Sequence, residues 1–374
     1  MGIIRRKLNS LVGRLTRRDW DQETIDKYVG HVDETYLTHS DDESLRDWSA
    51  SGASVTAMIL HWMESGVIDG ALVCKTIVEN KQARGQFYIA TNREELLESR
   101  GSLYVAINFG HDGMRLINQF QGSLAVVALP CHVDVLRRRM RRDPEVKAKI
   151  KCIIALVCGH SSQPELVDGV TKELERDAGA PLAKYHFRHG HWRGRLFAEF
   201  ENGRSIEQPF SQFSIYQNLY FWSEKKCFQC NDHFGYRADL SAGDVWSMHL
   251  RNNPIKHTCI LVRTPAGQEL FSSATGANAV HQETIKVEEV LDGQARTAPF
   301  HYNVTARVRA ARRYRLKLKD TLNEKVHWNH CLTAEMAMFN WAWSQHPKYG
   351  KLVFKVPRPV LKAYLYLFKL LESF

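Results

Sequence analysis

Two short apolar runs, joined by a basic stretch with helical periodicity, constrain the fold of this chain more than any other feature. Residues 124–129 and 153–157 have the length and the apolar composition of buried strands. Between them, apolar side chains recur every three or four residues from 133 to 149, with Pro144 kinking or splitting the predicted helix. A strand–helix–strand order predicts a β-α-β unit with parallel strands. We therefore expect an α/β fold with a mostly parallel core.

A cysteine follows each of the two predicted strands. Cys131 and Cys158 lie just beyond the ends of the strands. The C-terminal ends of parallel strands meet at the sheet edge where α/β proteins place ligands. Farther along, Cys227 and Cys230 form a C-x-x-C pair. Thiolates, usually four of them, are the ligands of iron–sulfur clusters, so the four cysteines together predict an iron–sulfur site in a redox protein.

Two other interpretations of these cysteines stay open. Zinc also binds four thiolates, although Cys227 and Cys230 lack the second C-x-x-C or H-x-x-x-H that a zinc ribbon carries nearby. Disulfide pairing of the eight cysteines is the other alternative. The remaining cysteines lie in or near apolar segments and are predicted to be small buried side chains: Cys74, Cys152, Cys259 and Cys331.

Length, composition and charge narrow the class of protein. At 374 residues, with 44% hydrophobic and 25% charged side chains, the chain is typical of a globular protein with two domains or one core with additions. We find no signal-peptide core and no run near the roughly 20 apolar residues of a membrane span. We therefore expect a reducing cytoplasm, where cysteines bind metals more often than they pair.

The net charge of +10 and the pI of about 9.2 favour an anionic partner. Nucleic acid, a lipid surface and a phosphorylated or polycarboxylate cofactor all fit this excess. No nucleic-acid-binding motif is recognisable, and the basic runs at 137–142 and 307–319 are typical of solvated faces. Nucleic acid is therefore not expected.

Two segments have the polar pattern of an anion site. The SGAS segment at residues 51–54 precedes a predicted helix at 55–63, and a helix N-terminus after small residues is suited to hold a phosphate. The alternative is that Ser54 is a plain helix N-cap. Arg188 and Arg193, in YHFRHGHWRGR, are candidates to bind an anionic cofactor. A solvated strand pair is the alternative for that segment.

Elsewhere the periodicity gives a coarser outline. Residues 19–48 are acidic and are expected to be irregular, and residues 257–274 are expected to form a hairpin with Pro-Ala-Gly at its turn. The segment from Asp239 to Asp244 predicts a strand and a turn that either line a site or serve as ordinary turn chemistry. Further elements are expected as follows: a strand at 71–78, a helix after Cys158, strands over 184–200, an aromatic helix at about 209–223 and helices from about 303 onward.

Three segments in order resemble the coenzyme F420 hydrogenase/dehydrogenase beta-subunit family. They are SASGASVTAMILHWMESGVIDGALV, VALPCHVDVLRRRMRRDPEVKAKIKCIIALVCGH and CFQCNDHFGYRADLSAGDVW. Two shorter segments, KYHFRHGHWRG and ILVRTPAGQELFSSA, are similar to further family segments, and the resemblance covers residues 46–282. It implies an α/β flavoprotein with a β-hairpin-rich flavin-binding portion, FAD and a 4Fe–4S cluster. Such an oxidoreductase subunit passes electrons between a reduced carrier, such as coenzyme F420 or ferredoxin, and a second acceptor.

The resemblance also implies roles for individual residues. Cys131, Cys158, Cys227 and Cys230 match the family's cysteine positions and are the implied cluster ligands. The implied flavin contacts come from the turn that matches the family's Ser-Gly-Gly-x-x-Thr, namely Ser51, Gly52, Ala53, Ser54 and Thr56. Ala53 replaces the second glycine of that turn. The C-x-x-C-x-x-C segment with which some relatives bind a further cluster is absent, so one cluster is expected, and no general acid or base is assigned.

The resemblance divides the chain into four parts. We expect a basic amphipathic extension at 1–45, the family's N-terminal region at 46–122, its C-terminal region with the cysteines at 123–282, and a mainly helical extension at 283–374. The partner is expected to be an electron carrier or a partner oxidoreductase subunit.

The amphipathic ends, residues 3–18 and 360–374, predict either peripheral contact with the inner membrane or packing on the protein itself or on a partner. Some family members come from bacterial polysaccharide gene clusters. The alternative function is therefore a non-redox scaffold or zinc-binding interaction module, membrane-associated, in a polysaccharide biosynthesis system.

Overall fold

The computed structural model of the protein describes residues 20–294 and 297–372. The predicted amphipathic helix at residues 3–18 lies outside the described residues. An eight-stranded sheet forms the centre, in the order β11-β1-β10-β9-β5-β4-β2-β3. Its strands are β1 (Glu34–His39), β2 (Gly70–Glu79), β3 (Gln82–Ala90), β4 (Leu124–Ala128), β5 (Ile150–Leu156), β9 (Leu240–Asp244), β10 (Thr258–Val262) and β11 (His281–Thr284).

The middle of this sheet is parallel. Strands β2, β4, β5 and β9 pair in parallel, whereas the outer pairs are antiparallel. The predicted helix between β4 and β5 is split as Pro144 suggested, into Pro130–Met140 and Pro144–Lys149. Asp143 caps the second helix by accepting from the N–H groups of Glu145 and Val146. The α/β fold with a parallel β-α-β core is thus confirmed.

Both faces of the central sheet are buried, because alternate side chains of each strand point to opposite sides. On one face, Ile154 of β5 belongs to a core with Met58 and Phe271, which come from the helices Ser54–Glu64 and Pro265–Gly276. On the other face, Ile153 packs in a core with Leu136 of the helix Pro130–Met140. This layering leaves the C-terminal edge of the parallel strands free to carry a site.

A second, three-stranded antiparallel sheet adjoins the first and consists of β6 (Leu182–His189), β7 (Arg195–Phe200) and β8 (Ser205–Pro209). It shares one core with the helix Pro164–Ala178 and with the helices of the C-terminal extension. The other helices are Gln22–Val29, Glu43–Arg46, Arg93–Leu97, Met114–Gln119, Ser211–Asn218, Val287–Gln294, Thr297–His301, Val304–Arg313, Trp328–Ser344 and Arg358–Glu372, with short tighter or wider turns at Phe109–Gly113, Lys225–Gln229, Met248–Asn252 and Gly350–Lys355.

Two local predictions are wrong. The expected hairpin at 257–274 is β10 followed by the helix Pro265–Gly276. Thr264 caps that helix by accepting from the Gly267 N–H, and Pro265 occupies its first turn, so Thr-Pro is a helix start here rather than a turn. Residues 19–48, expected to be irregular, contain the helix Gln22–Val29, strand β1 and the helix Glu43–Arg46.

Among the described residues, none of the helices combines the length and the apolar character that crossing a bilayer requires.

Candidate functional site

The structure brings the four predicted cysteines together from three separate segments. Cys131 occupies the first turn of the helix Pro130–Met140, directly after β4, and Cys158 follows β5. Cys227 lies in the short 3-10 turn Lys225–Gln229, and Cys230 ends that turn. All four thiols are free and partly buried. Convergence at one sheet edge thus follows from the parallel pairing of β4 and β5.

The four thiols are close enough to affect one another's charge. Burial raises the pKa of the Cys158 thiol well above its usual value, and Cys227, Cys131 and Cys230 raise it further. Burial likewise raises the pKa of Cys227 to about 12 and that of Cys230 to about 11. Each thiol therefore stays protonated at neutral pH unless a cation compensates the thiolate.

A buried arginine from the C-terminal extension holds the C-x-x-C turn in place. Arg307, 2% exposed, donates to the carbonyl oxygens of Cys227 (3.3 Å), Cys230 (2.9 Å) and His301 (2.5 Å). Burial lowers the pKa of Arg307 to about 10, so the guanidinium stays charged at neutral pH. No carboxylate pairs with it in the part of the chain that the structure describes. An isolated buried cation is costly, so this environment favours a negatively charged occupant nearby.

Two buried histidines bind the backbone of the same cysteines. His301 Nε2 lies 2.9 Å from the Cys158 carbonyl oxygen, and its Nδ1 lies 3.3 Å from that of Cys230. His233 Nδ1 lies 2.9 Å from the Cys158 carbonyl oxygen. Burial lowers the pKa of both imidazoles, that of His233 to about 4. The two rings are therefore neutral at pH 7 and act as fixed supports for the cysteine loops.

The donor set is of the type that iron–sulfur clusters bind. Among the described residues, no group of three or more His, Cys, Asp or Glu side chains converges tightly enough to hold one metal ion. A cubane cluster makes a different demand, because each thiolate binds a separate iron atom and the four sulfurs stand apart. Four mutually interacting thiols beside an uncompensated cation meet that demand.

The SGAS turn lies at the same edge, on the other side of Cys158. Gly52 has no room for a side chain, because an added Cβ would lie 2.6 Å from the Thr38 carbonyl oxygen. Ala53 has a φ of 62°, in the left-handed region that favours glycine. The helix Ser54–Glu64 then begins without a side-chain cap, so Ser54 is not the N-cap that the alternative interpretation required. The first backbone N–H groups of this helix are therefore available to bind a ligand.

The hydroxyls of the turn are mostly engaged. Ser51 bonds to Thr258 Oγ1, and its own Oγ accepts from the Gly52 N–H at 2.7 Å. Thr38 donates to Ser54 Oγ at 2.7 Å. These bonds fix the turn's shape, so it presents backbone donors rather than mobile side chains.

The turn opens into a cavity of about 280 Å³. Ser51, Ala53, Ser54 and Thr56 line it, whereas Gly52 lies behind the wall. Other lining residues come from the strand ends: Val127, Leu129, His132, Leu156, Cys158, Gly159 and Asp244. A cavity of this size, largely apolar with a helix N-terminus at one side, is typical of a ligand pocket.

One buried polar atom in this wall lacks a partner. His132 stacks on Phe109 with ring centroids 4.9 Å apart, and its Nδ1 makes no hydrogen bond within the described residues. Burial lowers the pKa of His132 to about 3, so the ring is neutral. His132 therefore contributes a neutral aromatic ring to the cavity wall.

A second cavity of about 400 Å³ adjoins the first. The two share five lining residues: Tyr104, Val157, Gly159, His160 and Asp244. Both predicted arginines reach the second cavity, but in different states. Arg188 is 2% exposed and forms a bidentate ion pair with Asp244, at 2.8 Å to each oxygen. Arg193 is exposed and lines the cavity without the bidentate pairing of Arg188, so Arg193 is the guanidinium better placed for a ligand.

A lysine lies behind the SGAS turn, near the Arg188–Asp244 pair. Burial, and after it the charge of Arg188, lowers the pKa of Lys256 to about 8. Its ammonium donates to the Ser49 carbonyl oxygen, just before the SGAS turn. The ammonium of Lys256, with a pKa of about 8, thus lies behind the turn of the first cavity and is partly deprotonated in mildly basic solution.

Two family models match the chain over this architecture. Residues 35–110 match the model of the N-terminal part of the coenzyme F420 hydrogenase/dehydrogenase beta subunit, and residues 122–288 match the model of its C-terminal part. Together the matches cover well over half of the chain. The chain belongs to the coenzyme F420 hydrogenase/dehydrogenase beta-subunit family. The resemblance seen in the sequence is thereby confirmed, and this family membership identifies the chain as an oxidoreductase subunit.

Curated relatives are similar over the same region. The coenzyme F420 hydrogenase subunit beta of Methanosarcina barkeri is 22% identical over 275 residues, covering 72% of this chain and 87% of that protein. The F420-dependent formate dehydrogenase 1 subunit beta of Methanococcus maripaludis is 23% identical, covering 64% of this chain and 59% of the relative. The coenzyme F420-dependent sulfite reductase of Methanocaldococcus jannaschii is 26% identical, but only 36% of its length is covered.

A solved structure has the same fold. A chain of the F420-reducing NiFe hydrogenase complex from Methanosarcina barkeri superposes with a TM-score of 0.58 at 21% identity. The match covers 79% of this chain and 98% of that chain. The α/β architecture of the family is therefore retained here, with additional residues outside the match.

The sequence did not reveal the residues that support the predicted site residues. Arg307 falls in a basic run for which a solvated face was predicted, yet it is buried against the cysteine loop. Arg188 was expected at a cofactor or in solvent, but it pairs with Asp244. The signal that was available is helical spacing, since Val304, Val308 and Ala311 place Arg307 on an apolar face of its helix.

Proposed function

We propose that this chain is a flavin- and iron–sulfur-dependent electron-transfer subunit. It binds FAD in the first cavity and one 4Fe–4S cluster on Cys131, Cys158, Cys227 and Cys230. The observation that carries the proposal is the double position of Cys158, which lines the first cavity and interacts with the other three thiols. A flavin and a cluster held there would be neighbours, as stepwise electron transfer requires.

The turn contributes binding and orientation for the flavin. Gly52 lets the turn pack against the Thr38 carbonyl behind the cavity, and Ser51, Ala53, Ser54 and Thr56 line the cavity around the start of the helix Ser54–Glu64. The free N–H groups and the positive end of the helix dipole favour an anionic group, either a pyrophosphate or a reduced ring. A bound flavin supplies the change between two-electron and one-electron chemistry. The neutral His132, stacked on Phe109, gives the cavity a fixed aromatic wall.

The cysteine loops contribute a charged, fixed site. Four thiolates bring several negative charges into a partly buried place, and Arg307 supplies a cation that is already buried there. A neutral imidazole donates through one nitrogen, so His233 and His301 can each hold one carbonyl group of the cysteine loops, which limits the reorganisation of these loops on binding. These supports favour one cluster geometry and tune its potential.

The reduced electron carrier is assigned to the second cavity. Arg193 lines it, with Tyr104 and Asp244 in the shared wall, so a planar carrier there would face the flavin cavity. Relatives named for coenzyme F420 favour this deazaflavin as the donor, and an anionic tail would suit Arg193. Ferredoxin remains the second donor to test. The acceptor is a partner oxidoreductase subunit, and we place this chemistry in the cytoplasm.

The test is anaerobic purification of the full chain, followed by an absorbance spectrum and assays for iron, sulfide, zinc and flavin. We expect about four iron and four sulfide per chain, with one flavin. Zinc in place of iron, or neither iron nor flavin after reconstitution, would contradict the proposal and favour a zinc-binding or scaffold role. Reduction of the bound flavin by reduced F420, compared with reduced ferredoxin, then identifies the donor.

A further inference from the structure

The C-terminal helices expose an unusual set of apolar side chains. Within the described residues, every large hydrophobic side chain that is strongly exposed lies between positions 328 and 370. The set is Trp328, Leu332, Phe339, Tyr349, Leu352, Val360, Tyr366, Leu367 and Leu370, with exposures from 41% to 69%. A concentration of this kind on one segment marks an interaction surface rather than chance exposure.

Two helices place these side chains next to one another. Asn329 donates to the Leu371 carbonyl oxygen at 3.3 Å, and Tyr364 donates to Asn340 at 3.2 Å. The helices Trp328–Ser344 and Arg358–Glu372 therefore run antiparallel, side by side. By this register, Leu332 lies level with the last turns of the second helix, which carry Leu367 and Leu370, and Phe339 lies level with its middle. We call the exposed apolar side chains of these two helices the apolar strip.

The larger region that includes this segment, residues 304–372, contains the whole positive excess of the chain, and residues 328–370 themselves have six Lys or Arg and one Glu. Residues 304–372 have fourteen Lys or Arg and four Asp or Glu, a difference equal to the formal net charge of +10 for all 374 residues. Lys362 is exposed on the second helix, and Lys351 and Lys355 are exposed on the turn just before it, whereas Glu335, within the first helix, pairs with Arg313. Exposed apolar and cationic side chains thus occur together on this short segment.

We propose that this surface docks on an anionic lipid membrane. An apolar strip with aromatic rings, flanked by lysines whose long stems reach past it, fits the boundary between acyl chains and headgroups. A negative lipid surface needs no fixed partner carboxylates, which suits cations spread along several elements. A second basic amphipathic stretch occurs at residues 3–18, with six Lys or Arg and no acidic residue. This inference is independent of the flavin and the cluster.

The experiment is flotation of the full chain with lipid vesicles. Vesicles of phosphatidylcholine alone are compared with vesicles that also contain phosphatidylglycerol. The apolar variant combines Phe339→Gln and Leu367→Gln, and the charge variant combines Lys351→Gln and Lys362→Gln. The matched control combines Arg141→Gln and Arg142→Gln, which removes two exposed charges far from the strip. All altered side chains are exposed, and unchanged circular dichroism and melting temperature verify the fold.

We expect the wild type and the control to float only with the anionic vesicles. The apolar and charge variants should each lose about tenfold in binding, with the charge effect suppressed by salt. Absence of flotation by the wild type, or equal flotation by the apolar variant, would overturn the proposal. It would also be overturned by a dimer that the apolar variant dissociates and that does not float, because the strip would then join two copies of the chain.

Discussion

The two halves of the site are built in opposite ways. The half that we propose for the flavin, called the flavin half, is formed by one local turn and the start of one helix, with hydroxyls that are already bonded to neighbouring strands. The cysteine half is assembled from three separated segments and is supported by a fourth, the C-terminal extension. The flavin half is already formed without a ligand. The cysteine half contains protonated thiols and an unpaired cation, so its buried charge is compensated only when an anionic group is bound.

This difference predicts how much each cofactor contributes to the folding free energy of the protein. A preformed turn gains little order when a ligand binds, so its ligand should dissociate reversibly. A site that compensates buried charge only when loaded makes its ligand part of the folding free energy. Substitutions confined to one half should therefore leave the cofactor of the other half in place.

The largest effect is expected from Cys230→Ser. Cys230 lies in the cysteine half and does not line the first cavity, so its loss should remove the cluster and leave the flavin. We expect iron to fall from about four atoms per chain to fewer than about one. Metal analysis and flavin absorbance of the anaerobically purified variant measure both. Cys331→Ser, at an exposed cysteine, is the control and should retain both cofactors. Wild-type iron content in Cys230→Ser would disprove the ligand assignment.

Arg307→Gln should have the next largest effect, on potential rather than on binding. A cation favours the more negative, reduced cluster, so its removal lowers the reduction potential. A unit charge roughly 8 Å away contributes about 2 kcal/mol at an effective dielectric of about 20, or on the order of 90 mV for one electron. Redox titration followed by electron paramagnetic resonance measures this shift.

Arg309→Gln is the matched control for Arg307→Gln, because it removes an exposed cation from the same helix. Its potential should stay within about 20 mV of the wild type, since solvent screens an exposed charge. Arg307→Lys should restore part of the potential. Equal potentials in Arg307→Gln and the wild type would show that Arg307 serves only to hold the loop.

The stability of the protein should depend on pH through Lys256, which lies behind the turn of the flavin half. Folding lowers the pKa of Lys256 from 10.5 to about 8, so the unfolded chain binds more protons between these pH values. Stability therefore rises with pH across this window. Lys256→Met should remove about 1–3 kcal/mol of that rise, measured by urea unfolding of the flavin-free protein at pH 8 and pH 10. Lys151→Met, at an exposed lysine, should leave the slope unchanged. If stability rose with pH equally in Lys256→Met and in the wild type, Lys256 would not be a buried titrating group in the folded protein.

The smallest effect is expected from Ala53→Gly. Glycine relieves the left-handed backbone at Ala53 by roughly 1 kcal/mol but costs about the same in chain entropy. Stability should thus change by less than about 0.5 kcal/mol, while flavin binding tightens a few-fold because the backbone approaches more closely. Flavin fluorescence titration measures the affinity. Ala57→Gly, inside the helix, should instead destabilise the protein, and equal behaviour of the two variants would exclude a special role for the turn.

The sequence was informative where a pattern is local. The β-α-β unit, its helix split at Pro144 and the meeting of Cys131 with Cys158 all follow from periodicity and chain direction. The helix start at Thr264-Pro265 was predicted to be a turn, because a proline directly after a strand occurs both in turns and at helix starts. The region at 19–48 has short elements whose stability comes from pairing with β10 and β11, which no local pattern shows.

The remaining differences concern tertiary partners. Charge alone predicts exposure, so Arg307 was expected in solvent, which is wrong. The expectation that Arg188 contacts an anionic cofactor stays a prediction, since Arg188 lines the second cavity. The burial of these two arginines depends on the Cys227 and Cys230 carbonyls in one case and on Asp244 in the other. The roles of the turn and of the four cysteines stay predictions until the cofactors are measured.

The distance along the chain between Cys230 and Arg307 sets a timing for synthesis. The two are 77 residues apart, and ribosomes add about 5–20 residues per second, so Arg307 is made roughly 4–15 s after Cys230. During that interval the Cys227 and Cys230 carbonyl groups lack the donor that Arg307 supplies in the finished chain. The cysteine loops therefore reach their supported form only after the C-terminal extension has been made.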